Sequence, residues 1–250
     1  MLNNKGQVIY GKHPVLEALN EEVPIEKIMV LQGTHGELEK SLREKCRERS
    51  IPLQQVPKEV LFKWSAGNNH QGIVAIIAPI EYQDLKGLLP FILNQNKPAL
   101  FIALDRVTDT RNLGAIARSA ELLGVDAIIV SAKHSARIDE ESIKTSAGAL
   151  LKVAVCRESS LISAIDLLKS NNIKIAAADS KSGIPIYEVD FKQPCVLIMG
   201  SEDEGVHPSL LAKSDYRFKI PQTGTIDSFN VSVAAGISLY EIYLQRQIKQ

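Results

Sequence analysis

The strongest constraint on the fold is an alternation that begins at residue 99. ALFIAL (99–104), DAIIVSA (126–132), KIAAAD (174–179), CVLIMG (195–200) and YRFKI (216–220) are short and apolar, and each reads as a strand. NLGAIARSAELLG (112–124), SSLISAIDLLKSNN (159–172) and HPSLLAKS (207–214) fall between them and read as helices. Strands alternating with helices predict an α/β domain with a mainly parallel sheet. Ligands of such sheets sit at the carboxyl ends of the strands.

Residues 1–78 predict a separate, smaller α/β unit. GKHPVLEALN, GELEKSLREKCRERS and KEVLFKWSAG suggest helices, IEKIMVL a strand, and GIVAIIA a buried strand bounded by Gly72 and Pro79. Residues 79–98 contain Pro79, Pro90 and Pro98 around one short apolar patch, and predict a linker with a helix in its middle. The larger domain then occupies residues 99–250.

Composition narrows the function classes. The chain is 45% hydrophobic and 23% charged, an ordinary balance for a soluble globular protein. No apolar run approaches the ~20 residues needed to span a bilayer, so no membrane role is expected. The opening MLNNKGQVIYGKH lacks the pattern of a signal peptide. Cys46, Cys156 and Cys195 are widely spaced and form no CxxC pair, which fits a reduced, cytoplasmic setting. The 29 basic residues match the 29 acidic ones, which argues against a generic polyanion binder. A neutral chain can still gather Lys and Arg on one face. The five histidines share no metal-ligand spacing, so no metal is expected. Neither GxGxxG after a strand, GxxxxGK[ST] nor GxSxG is present, which counts against dinucleotide, P-loop and α/β-hydrolase chemistry.

Three segments carry candidate chemistry. In DTRNLGAIARSAELLG (109–124), Leu113, Ile116, Ala117, Ala120 and Leu123 share one helix face, while Arg111, Gly114 and Arg118 share another. Asn112 stands where an N-cap belongs. Gly114 is expected to leave open space one turn before Arg118, where a planar guanidinium could grip a phosphate or carboxylate. The alternative is a solvated face with Arg118 paired to Glu121. In CVLIMGSEDEGV (195–206), Gly200 and Gly205 bound a turn that carries Glu202, Asp203 and Glu204. Three carboxylates on one turn repel one another unless a cation or donor groups offset them. The alternative is an acidic surface turn.

In IPQTGTIDSFNVSVAAG (220–236), Asp227, Ser228, Asn230 and Ser232 crowd the start of a helix that needs one cap. Asp227 or Ser228 would suffice, which leaves Asn230 and Ser232 without a required structural task. Either the cluster is redundant capping, or part of it faces a ligand. Apolar positions continue through Val233, Ile237, Tyr240 and Leu244.

Together, NLGAIAR, GSEDEG and IPQTGTIDSFNVSVAAG resemble the three ordered motifs of the SpoU branch of the SPOUT RNA methyltransferases, over roughly residues 99–247. YGKHPVLEAL and HQGIVA resemble the substrate-binding domain of ribosomal RNA ribose methyltransferases. The resemblance implies a C-terminal α/β trefoil knot that binds S-adenosylmethionine and forms a homodimer. It also implies an N-terminal α/β RNA-binding domain similar to certain ribosomal proteins. Asn112 and Arg118 match the first motif, Glu202 the second, and Ser228 and Asn230 the third; these five are the implied catalytic set. Gly200, Ile220 and Phe229 match positions that line the methyl-donor pocket. Asp203 departs from a common glycine and Phe229 from a common leucine. Asp203 adds charge and removes backbone freedom near the donor loop; Phe229 keeps an apolar wall.

The implied reaction is methyl transfer to a ribose 2′-hydroxyl of RNA, with a guanosine of large-subunit ribosomal RNA as the expected target. A hydroxyl must lose its proton as the new bond forms. A guanidinium is a poor base, so Arg118 is expected to orient the hydroxyl and its phosphate. A phosphate oxygen or water would take the proton, with Glu202 the second candidate. Asn112 would hold Glu202 or Arg118 in place. The competing readings are a transfer-RNA ribose methyltransferase and a catalytically silent RNA-binding or ribosome-assembly factor.

Overall fold

The computed structural model describes residues 8–247. The described residues divide into two compact units, 8–81 with 138–140, and 82–137 with 141–247.

The first unit runs β1 (Val8–Tyr10), α1 (Lys12–Asn20), β2 (Ile25–Leu31), α2 (Glu37–Glu48), β3 (Leu53–Val56), α3 (Lys58–Trp64) and β4 (Ile73–Ile77). Its four strands lie in the order β1-β4-β2-β3, with β4 antiparallel to both neighbours and β2 parallel to β3. Side chains alternate across a strand. Ile28, Val30, Ile73 and Ala75 therefore pack on one face with Val15 and Leu19 of α1 and Leu42 and Cys46 of α2. Met29, Val74 and Ile76 pack on the other with Leu61 of α3. A sheet covered on both faces explains why IEKIMVL and GIVAIIA read as near-continuous apolar runs.

The second unit begins with α4 (Leu85–Leu93), followed by β5 (Leu100–Leu104), α5 (Thr110–Leu122), β6 (Ala127–Ser131), α6 (Glu140–Thr145) and β7 (Ala154–Glu158). Then come α7 (Leu161–Ser170), β8 (Lys174–Ala178), β9 (Cys195–Met199), α8 (Pro208–Leu211), β10 (Tyr216–Phe218) and α9 (Val231–Gln247). The six strands are all parallel, in the order β10-β8-β9-β5-β6-β7. Phe101, Ala103, Ile129, Val196 and Ile198 pack on one face with Leu85, Leu89 and Ile92 of α4 and Ile165 and Leu168 of α7. The helix inside residues 79–98 is thus part of this core. α5 and α9 pack on each other, and Ile116, Ala117, Leu239 and Ile242 are fully buried.

The connections place β5 between β6, which follows it directly, and β9, which arrives much later. Strand order therefore reverses between β5 and β9. In open parallel sheets that reversal opens a crevice at the carboxyl ends of the strands.

Candidate active site

A cleft of about 920 Å³ lies over the carboxyl ends of β8, β9 and β10. Asp179 follows β8, the loop Gly200–Val206 follows β9, Ile220 and Pro221 follow β10, and Asp227–Phe229 lead into α9; all of them line the cleft. Met199, Leu211, Val231 and Ala234 add apolar wall. A volume of this size suits a small organic cofactor. Gly200, Glu202, Ile220, Ser228 and Phe229, five of the positions singled out in the sequence, line this cleft.

Of the three that do not, Asn112 and Asn230 enter through Glu202. Its Oε1 accepts from Asn112 Nδ2 at 2.9 Å and also from Asn230 Nδ2. Asn230 Nδ2 lies 3.1 Å from Asn112 Oδ1 as well. One side chain from each of the three motifs therefore meets at a single carboxylate.

The local folding of these residues differs from expectation in two places. Asn112 is not the N-cap of α5: Asp109 is, accepting from the Arg111 and Asn112 amides at 2.8 and 2.9 Å. Asn112 sits inside the first turn, so its own amide group is free to reach Glu202. At α9 the cap is Asn230, whose Oδ1 accepts from the Ser232 amide at 2.9 Å and the Ser232 hydroxyl at 2.6 Å. Capping and contact with Glu202 fall to the same residue. The oxygen of Asn230 closes the helix while its nitrogen holds Glu202.

Two glycines are required for reasons local spacing did not reveal. A Cβ on Gly114 would lie 2.7 Å from the Ser142 carbonyl and 2.8 Å from Thr145 Cβ. The expected open space is filled by the packed turn at residues 142–146. A Cβ on Gly200 would lie 2.0 Å from the Gly205 backbone. The acidic loop folds back on itself, with the Gly205 amide donating to the Ser201 carbonyl at 3.0 Å.

The three carboxylates of the loop find separate solutions to their repulsion. Glu202 takes the two asparagine amides, and Glu204 pairs with the Arg106 guanidinium. Asp203 is exposed and, among the described residues, has no ion-pair partner. Arg106 and its neighbour Asp105 were not singled out from the sequence. The signal was present, because the repulsion on the loop called for a cation and DRV directly follows a buried strand.

Arg118 stands apart. It is exposed, does not line the cleft, and has no hydrogen-bond or ion-pair partner among the described residues. Glu121 pairs with Lys152 at 3.8 Å instead. The described residues hold no group of three or more His, Cys, Asp or Glu able to bind a metal ion, and no helix among them is long and apolar enough to cross a membrane.

Comparison with known proteins gives this arrangement a class. The profile of the SpoU rRNA Methylase family matches residues 99–240, and that of RNA 2′-O ribose methyltransferase substrate binding matches residues 8–83. A Staphylococcus aureus relative named for the TrmH family of tRNA/rRNA methyltransferases is 32% identical over 239 residues, covering 96% of each chain. A Staphylococcus epidermidis relative of the same name is 33% identical over 242 residues. The fold is shared with the SpoU methyltransferase AviRb from Streptomyces viridochromogenes in complex with AdoMet (TM-score 0.61, 24% identity, 96% and 90% of the two chains). It is also shared with a TrmH/SpoU tRNA modifying enzyme from A. aeolicus (TM-score 0.56, 28% identity, 65% and 84% covered). The family match over residues 99–240 and relatives at 32–33% identity make this an RNA methyltransferase. The chain belongs to the SpoU rRNA Methylase family.

Proposed function

We propose that the protein transfers a methyl group from S-adenosylmethionine to a ribose 2′-hydroxyl of RNA, at a guanosine of large-subunit ribosomal RNA, and acts as a cytoplasmic homodimer. The observation that carries this reading is the junction of Asn112, Glu202 and Asn230 beside the cleft. It joins the three segments that resemble the family's motifs. The match of residues 8–83 to an RNA substrate-binding domain supports an RNA acceptor held by the first unit.

The cleft suits the donor by its chemistry. Met199, Ile220, Pro221 and Phe229 offer apolar wall for a base. Asp179, Glu202, Asp203 and Asp227 put carboxylates where ribose hydroxyls and a sulfonium cation would be welcome. When bound, S-adenosylmethionine supplies an electrophilic methyl group. Glu202 is held by two amide donors, which fixes its direction. Arg118 is exposed and has no hydrogen-bond or ion-pair partner among the described residues, so its guanidinium is free to orient an RNA hydroxyl and phosphate. A phosphate oxygen or water then takes the proton, with Glu202 the second candidate acceptor.

Arg118 lies outside the cleft of its own chain, so a partner copy that brings its Arg118 to this cleft would complete the site. Val233, Ile237, Tyr240 and Leu244 recur at helical spacing on α9 and are 50%, 36%, 54% and 39% exposed. An apolar stripe of this kind fits a subunit interface. A trefoil-knotted path through the loops after β9 and β10 belongs to the same proposal. The test is transfer of labelled methyl from S-adenosylmethionine to total cellular RNA from a strain lacking the gene. Label on one ribose, absent with Arg118→Ala, supports the reading; label on transfer RNA alone moves the target; none at all with folded protein ends it.

A further inference from the structure

We propose that Arg106 is a positioning residue for the methyl-donor cleft, setting the shape of the Gly200–Gly205 loop from the end of the neighbouring strand. The proposal rests on the donor-site reading given above. Arg106 follows Asp105 directly after β5, and every residue from Gly200 to Gly205 lines the cleft. Its guanidinium pairs with Glu204 and donates through Nη2 to the Gly205 carbonyl at 3.0 Å. The same nitrogen lies 3.3 Å from Asp105 Oδ2. Asp105 is itself buried and accepts from the His207 amide at 2.7 Å. Two adjacent residues at the end of β5 thus hold the returning half of the acidic loop at three points, Glu204, Gly205 and His207.

An isolated surface ion pair would contribute little, because exposed pairs are screened and hold two mobile side chains. Arg106 differs in geometry. Its planar fork reaches a side chain and a backbone carbonyl of the same loop at once, which fixes an angle as well as a distance. Two local costs accompany the arrangement. The backbone of Arg106 sits at φ 57, a left-handed conformation rare for a long side chain. Its Nε is buried with no hydrogen-bond partner among the described residues. Costs of this kind persist where surrounding structure over-determines them, and they gather at functional sites. Glu202 is held separately, by Asn112 and Asn230.

The experiment compares Arg106→Gln, Arg106→Lys, Glu204→Gln and the Arg106→Gln/Glu204→Gln double variant of the full chain. S-adenosylhomocysteine binding is titrated by calorimetry, steady-state kinetics are measured on RNA, and exchange of the loop amides is followed by mass spectrometry. Arg106→Gln is expected to bind S-adenosylhomocysteine roughly 10-fold more weakly, and KM for the donor should rise by the same factor. Its kcat and KM for RNA should stay within about two-fold, a split that general loss of folded protein would not give. Arg106→Lys keeps the charge and loses the fork, so it should resemble Arg106→Gln; it carries the test if the Gln variant melts early. The double variant should be no weaker than the worse single one, because both remove one shared interaction. Faster exchange at the amides of Glu204 and Gly205 with β9 unchanged would agree. Donor binding within about two-fold of wild type in both Arg106 variants, or fully additive losses in the double variant, would overturn the role of Arg106 alone. Failure of the wild-type protein to bind S-adenosylhomocysteine would overturn the donor-site reading and this inference with it.

Discussion

Asn230 and Asn112, 118 positions apart in the chain, meet amide to amide at 3.1 Å and share the carboxylate of Glu202. Because Asn230 also caps α9, its two side-chain atoms can be separated by substitution. Asn230→Asp keeps an acceptor for the Ser232 amide but sets a second carboxylate against Glu202. Its melting temperature should stay near wild type while methyl transfer falls at least ~10-fold. Asn230→Ala should lose both, with a cap contribution of about 1 kcal/mol visible in denaturant unfolding. Equal activity in the Asp variant and wild type would remove Glu202 positioning from the account.

Arg118 is exposed and, among the described residues, makes no hydrogen bond or ion pair that folding would need. Arg118→Ala should therefore change unfolding free energy by no more than about 0.5 kcal/mol. S-adenosylhomocysteine binding should stay within a few-fold of wild type, while transfer to RNA should fall by roughly two orders of magnitude. A variant that loses cofactor and RNA activity in parallel would place Arg118 in the donor site instead.

Gly114 and Gly200 are predicted to fail in different ways. Gly114→Ala overpacks α5 against residues 142–146 and should cost about 1–3 kcal/mol of stability. Gly200→Ala forces the acidic loop open, since the added carbon would meet backbone and not a movable side chain. It should abolish cofactor binding in a chain whose far-ultraviolet circular dichroism is unchanged.

The exposed stripe on α9 predicts oligomeric state. Tyr240→Asp should shift the protein from dimer to monomer in sedimentation velocity, and activity should fall with it. A monomeric variant of undiminished activity would show that each chain supplies its own Arg118.

Glu158, at the end of β7, predicts a pH dependence. Burial raises its carboxyl above the usual carboxylate range, with Asp84 adding to the effect. A carboxyl that holds its proton more tightly when folded stabilises below its unfolded pKa and loses that contribution as pH rises through the folded one. At neutral pH it is therefore a liability. Glu158→Gln should raise the melting temperature at pH 7 to 8, and the gain should shrink toward zero below about pH 4.

The parts of the fold legible in the sequence are those where local chemistry and burial agree. β5, β6, β8 and β9 are covered on both faces, so they read as plain apolar runs. β7 escaped notice because Arg157 and Glu158 interrupt it at the edge of the sheet, and β3 because Gln54 and Gln55 dilute four residues. The candidate site was legible as three segments, since glycine, carboxylate and amide side chains crowd them beyond structural need. Their junction was not. That Asn112 and Asn230 share Glu202, that Arg106 holds Glu204, and that residues 142–146 fill the space over Gly114 are all contacts between distant positions. No spacing along a helix or strand encodes them.

The doubly held carboxylate of Glu202 also comes together late in the making of the chain. On a ribosome the first motif and the acidic loop are both made before residue 230 is joined to the chain. Until α9 docks on α5, Glu202 has one of its two amides at most, and β9 must still thread in beside a strand made long before. Synthesis thus proceeds with the pieces of this junction present but unassembled, and docking of α9 is the event that joins them.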